Sequence, residues 1–185
     1  MPMSSFRLVA CLALVGLGLT QFACAADDKP ATAEPLVSRG RIQLNLAGAE
    51  TILAAAKQKA SALTVKENIA IVDDGGQLLA FARMDGARPA SAATALTKAV
   101  AAATFRQETG PLKTKGEPDL LLNLSLQNAA MANGGKITSL KGGVPIIVEG
   151  QVIGGVGVAG GSGEQDAEIA KAACQSLSAA LGERK

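Results

Sequence analysis

The sequence predicts an α/β (α+β) domain, a mainly antiparallel five-stranded sheet with helices packed on its faces. Two observations carry that expectation. The β-rich runs come in hairpin-connected groups, and long segments with helical spacing stand before, between and after them. A doubly wound parallel sheet would instead need strands alternating singly with helices.

The elements follow in order. Residues 46–63 repeat Leu46, Ala49, Ile52, Leu53, Ala56 and Ala60 at intervals of three and four, with Lys57 and Lys59 toward the C-terminal end, where the helix dipole tolerates cations. Residues 68–72 and 78–82 are β-rich and flank Asp73-Asp74-Gly75-Gly76, whose Asp and Gly supply the positive φ of a tight turn. Residues 90–106 form an Ala-rich helix, and residues 119–131 a second. A short strand is expected at residues 137–140, between two Gly-Gly pairs. The second hairpin joins residues 144–148 to 152–158 through Glu149-Gly150. The closing helix spans residues 164–181, with Ser162 and Gln165 spaced as a capping box.

The chain is expected to comprise an export signal (residues 1–25), a flexible leader (26–40) and a single domain (41–185). Arg7 starts a positive segment, residues 8–19 are apolar, and Ala23-Cys24-Ala25 supplies the small residues of a cleavage site. About 12 apolar residues are too few to cross about 30 Å of hydrocarbon. The expected location is therefore periplasmic or extracellular, with the protein soluble after cleavage. Lipidation at Cys24 is the competing reading; Gln21 and Phe22 fit a lipobox poorly.

Composition then excludes whole classes of function. Removing the signal takes one charged residue, Arg7, and leaves 17 basic against 16 acidic. No basic stripe remains to displace counterions, so nucleic acid is not an expected partner. Cys174 is the only cysteine after the signal, so no intrachain disulfide is expected. Small aliphatic residues dominate the rest, with Phe81 and Phe105 the only aromatics. A core of small side chains buries little area per residue, which favours a homo-oligomer.

The chain has no histidine, Tyr or Trp. Ser-His-Asp and Cys-His catalysis cannot be built, nor an imidazole metal site. No residue set demands a reaction, and catalytic residues stay unassigned. Gly155-Val156-Gly157-Val158-Ala159-Gly160 matches G-x-G-x-x-G, but it begins inside a hairpin strand and only one helix follows it, so a dinucleotide fold has no room. Its structural reading is a strand lying close against a helix. Gly160, Gly161 and Ser162 lead into a helix N-terminus, where free N–H groups can hold an anion. Asp73 and Asp74 belong to a turn and do not read as an acid–base pair. Lys98 interrupts an almost uncharged helix and shares a face with Thr94; it is either a solvated edge or a ligand-facing cation. Arg83 and Arg88 read as surface ion pairs. Cys174 reads as a small buried hydrophobe, Met131 as core or ligand, and Met84 as partly exposed.

Four segments in this order resemble the GlcG/HbpS family of haem-binding proteins, also seen as the C-terminal domain of PduO-type proteins. They are NIAIVDDGGQLLAFARMDG (68–86), the helix over 91–105 with Lys98-Ala99, GGVPI (142–146) and GQVIGGVGVAGGSGEQD (150–166). The resemblance implies an antiparallel sheet flanked by helices, higher oligomers, and in some members the binding or breakdown of haem. Members of that family differ in how they hold iron, and in the type member an oxygen ligand such as Thr is implicated, which makes Thr94, Thr97 and Thr104 candidates here, with Thr104 as the metal ligand. Gln77 stands where relatives often carry His.

The expected function is thus an exported haem- or tetrapyrrole-binding protein acting as sensor, scavenger or in haem degradation. Its pocket is expected between the helix over 90–106 and the glycine-rich final strand and loop. The expected cofactor-binding residues are Thr94, Lys98, Thr104, Arg106, Gly160, Gly161 and Ser162, with Lys98 or Arg106 meeting the propionates. The alternative is an accessory protein or enzyme acting on a small carboxylate metabolite, as in glycolate-pathway relatives.

Overall fold

The computed structural model describes residues 40–182. The export signal and all of the leader except Gly40 lie outside the described residues.

Helix α1 (Leu46–Ala62) starts at Asn45, whose side chain accepts the Gly48 N–H, and buries Ala49, Ile52, Ala56 and Ala60. Strands β1 (Asn68–Asp73) and β2 (Leu78–Arg83) form the first hairpin. Its turn is pinned by Asp73, whose Oδ1 accepts the N–H groups of Gly75 and Gln77. Helix α2 (Ser91–Phe105) follows, then strands β3 (Lys113–Thr114) and β4 (Glu117–Pro118), and helix α3 (Leu120–Ala132). Strands β5 (Gly143–Val148) and β6 (Gln151–Ala159) make the second large hairpin, and helix α4 (Gly163–Ala180) closes the chain. The Ser162–Gln165 capping box is formed in both directions.

The main sheet is fully antiparallel, in the order β2-β1-β6-β5. It has four strands rather than five: residues 137–140 form no strand. The edge they would have joined is held instead by Thr109, which donates its N–H to Gly143 O and its hydroxyl to Leu140 O, and accepts the Gly143 N–H. The tiny β3–β4 ribbon is an addition. It turns through Lys115 and Gly116, both at positive φ.

Alternation along the central strands divides the molecule into three layers. Ile69, Ile71, Val144, Ile146, Val156 and Val158 point into the larger core under α1 and α4. Ala70, Val72 and Ala159 face α2, which brings Ala95, Ala99, Val100 and Ala103. The α2 side is built of small residues because the helix lies almost on the sheet. A Cβ on Gly157 would strike the Ala95 carbonyl oxygen, one on Gly155 the Ala99 carbonyl oxygen, and one on Gly143 the Lys98 carbonyl oxygen. The first two glycines of the G-x-G-x-x-G stretch, Gly155 and Gly157, therefore serve helix–strand contact.

Helix α3 differs from the others, because none of its residues is buried. It carries no charge, and Leu120, Leu121 and Met131 are more than 70 % exposed. Met131 is thus neither core nor enclosed. No helix among the described residues is long and apolar enough to cross a membrane.

Candidate functional site

Close packing of α2 on β5 and β6 leaves no slot for a planar macrocycle between them, contrary to the expectation from the small residues. The same packing places open clefts at the two ends of α2, and the expected site residues divide between them.

At the N-terminal end, a cleft of about 320 Å³ is lined by Arg88, Ser91, Thr94, Lys141, Gly160 and Gly161, with Lys98 and Asp166 at its base. Lys98 is neither a solvated edge nor a free cation. It is buried and donates to Asp166 Oδ2 at 2.6 Å and to Val158 O at 2.8 Å. The bond crosses from α2 to the first turns of α4, where Asp166 Oδ1 also accepts the Gly161 N–H at 3.1 Å. Arg88 donates to the Ser91 hydroxyl and to Gly160 O rather than forming an ion pair. Lys141 pairs with Glu164 on the exposed rim at 2.7 Å, which holds the Glu164 carboxyl below its usual range.

Glu67, just before β1, is the residue that sequence reasoning missed. It is fully buried, and neither carboxylate oxygen has a hydrogen-bond partner among the described residues. Burial, reinforced by the Asp166 charge, raises its pKa to about 7, against the opposing charge of Lys98. The carboxyl lies against the Gly160–Gly161 backbone, where a Cβ on either glycine would meet it. Next to it, Asn68 donates to Arg88 O and Ala159 O while its own Oδ1 has no partner. Lys66-Glu67-Asn68 reads in sequence as an ordinary polar approach to a strand, so nothing local marks the burial.

At the C-terminal end, a second cleft of about 320 Å³ lies between the Gly75–Gly76 turn, Thr104 and Phe105 of α2, and Lys136 and Ile137. It adjoins a smaller apolar hollow that shares Phe105 and Ile137 and adds Ala101, Leu112 and Leu126. Gly76 takes φ +82°, and a side chain there would press on Val100. The Thr104 hydroxyl donates to Val100 O at 2.7 Å, leaving its oxygen lone pairs unengaged. Arg106 caps α2 in the left-handed conformation at φ +58° and is exposed. Gln77 is exposed in the adjoining hairpin.

The structure thus brings Thr94, Lys98, Gly160 and Gly161 together at one end of α2 and places Thr104 and Arg106 at the other. Ser162 lines neither cleft, and its hydroxyl accepts the Gln165 N–H as the α4 cap. The sulfur residues fit iron poorly. Cys174 packs half-buried on the main core with its thiol pushed up to about 12 by burial, and Met84 packs against the same core. No group of three or more acidic or Cys side chains that could hold a metal ion occurs among the described residues.

Comparison with known proteins agrees with the fold. Residues 44–175, more than half the chain, match the family model described as "Haem degrading protein HbpS-like". Protein GlcG of Escherichia coli strain K12 is 41 % identical over 110 residues, covering 60 % of this chain and 76 % of that protein. The crystal structure of Klebsiella pneumoniae protein ORFY superposes with a TM-score of 0.67 at 31 % identity, over 79 % of this chain and 99 % of that one. The crystal structure of a PduOC:heme complex superposes with a TM-score of 0.60 at 26 % identity, covering 73 % of this chain and 95 % of that one.

Proposed function

The chain belongs to the HbpS-like family, and from that premise we propose that it is an exported haem-binding protein that holds the macrocycle at the C-terminal end of α2. Of the two clefts, this one adjoins the apolar hollow that carries Phe105, Leu112, Leu126 and Ile137. Phe105, Ile137 and Leu126 offer a greasy wall, Lys136 lines the cleft as a cation for a propionate, and the exposed Arg106 follows Phe105 at the end of α2. The single observation that carries the assignment is Thr104. Its proton is committed to Val100 O, so a neutral oxygen donor with free lone pairs lies at the cleft. Thr97 makes a similar bond, to Ala93 O, but lines neither cleft. Bound haem would supply the redox and oxygen chemistry. The chain's own residues bind, orient and shield it.

The cleft is open to solvent. The uncharged, wholly unburied α3 borders it, and we place that helix against a second copy of the chain, in a homo-oligomer. The location follows from the export signal read in the sequence. Haemin titrated into the purified protein should give a saturable Soret band distinct from haemin in buffer; an unshifted, non-saturating spectrum would remove the proposal. Following the same band over time separates a carrier, whose band persists, from a degrading protein, whose band bleaches.

A further inference from the structure

The cleft at the N-terminal end of α2 is not needed for a macrocycle and has a different chemistry. It lies at the small end of the roughly 300–1,000 Å³ range of ligand pockets. Its lining carries three cations, Arg88, Lys98 and Lys141, against one carboxylate, Asp166. The three come from three separate segments: the β2–α2 connection, α2 itself and the approach to β5.

Each cation keeps capacity for a further partner. Lys98 has three N–H groups and two acceptors among the described residues, Asp166 and Val158 O. It is buried at the base, where water competes least for the remaining donor. Arg88 uses Nε on Ser91 and Nη2 on Gly160 O, which fixes the plane of its guanidinium and leaves Nη1. Lys141 is held only by Glu164 in an exposed pair, an interaction weak enough to exchange for a ligand. The Ser91 and Thr94 hydroxyls add neutral donors.

We propose that this cleft is a second ligand site, taking a small organic carboxylate whose planar group meets the Arg88 guanidinium and the buried Lys98 ammonium. A planar fork suits a carboxylate geometrically. The site is distinct from the haem cleft, because Ser91, Thr94 and Lys98 of α2 line this one while Val100, Thr104 and Phe105 line the other.

Calorimetric titration of the purified protein with malonate, succinate and inorganic phosphate tests this. A dicarboxylate should bind saturably, and Arg88→Gln should weaken it at least about tenfold while haemin uptake is unchanged. Thr94→Phe fills the cleft without altering charge and should abolish the same binding, which guards against a purely structural effect of losing Arg88. Binding of phosphate alone, absence of saturable binding, or binding that survives both variants would each overturn the proposal.

Discussion

Lys98 and Asp166 meet at 2.6 Å across 68 residues of sequence, with both side chains about 4 % exposed. Their ion pair ties α2 to α4 past the end of β6, and the Val158 carbonyl completes it. Beside the pair stands a third buried ionisable group, Glu67, with no hydrogen-bond partner among the described residues. Two carboxyls and one ammonium cannot all be charged at low cost in so dry a place.

Removing one partner of the pair should therefore hurt more than removing both. Lys98→Met leaves Asp166 and Glu67 buried without a counter-ion and should cost about 3–5 kcal/mol of unfolding free energy. The double variant Lys98→Met with Asp166→Leu should recover much of that loss. Urea denaturation of both variants measures the difference; equal destabilisation would mean the pair is not coupled.

The same cluster makes stability depend on pH. Burial pushes the pKa of Glu67 up to about 7 from the ordinary glutamate value near 4.5, so the folded state binds the proton more tightly than the unfolded one. Its burial penalty is absent below about 4.5, grows as the pH rises, and is complete above about 7, so this group lowers stability across that window. The fall should be of order 3 kcal/mol. Glu67→Gln, neutral at every pH, should flatten the fall in denaturation midpoints between pH 5 and 8.

Packing of α2 on the sheet predicts a sharp contrast between two glycines. Gly157→Ala puts a methyl into the Ala95 carbonyl and should cost about 3 kcal/mol or more, because backbone cannot step aside. Gly150→Ala meets nothing within 4 Å, and its φ of +74° should cost only about 1–2 kcal/mol. Thermal melting of the two variants compares them directly.

Much of this architecture is legible in the sequence because short-range chemistry determines it. Asp73-Asp74-Gly75-Gly76 and Glu149-Gly150 announce their hairpins, and Ser162 with Gln165 announces the α4 start. Residues 137–140 mislead for a physical reason. Their β-branched character favours a strand, but strand formation needs a free edge, and Thr109 occupies the backbone groups around Gly143. The candidate sites are less legible. Lys98 stands out as a charge among alanines, yet its partner lies 68 residues away, and no local pattern shows that Glu67 is sealed. Nor does the run of small residues reveal whether it makes a slot or a close contact; only the opposing backbone decides that.

Helix α3 supplies a prediction about assembly. Leu120 and Leu121 are 73 % and 76 % exposed on a helix without a charge. Changing both to Asp should leave the fold intact and shift the protein toward monomer in sedimentation velocity, since no core contact is lost. An unchanged sedimentation coefficient would place the oligomer contact elsewhere.

The central claim is that haem lies at the Thr104 end of α2, and the absorption spectrum of the haemin-saturated protein tests it most directly. Thr104→Val preserves shape and removes the oxygen, while Thr94→Val does the same at the opposite end. The account predicts a shifted Soret band and at least about tenfold weaker haemin binding for Thr104→Val, with Thr94→Val matching the unaltered protein. A Thr104→Val spectrum and affinity identical to the unaltered protein, or an effect confined to Thr94→Val, would contradict it.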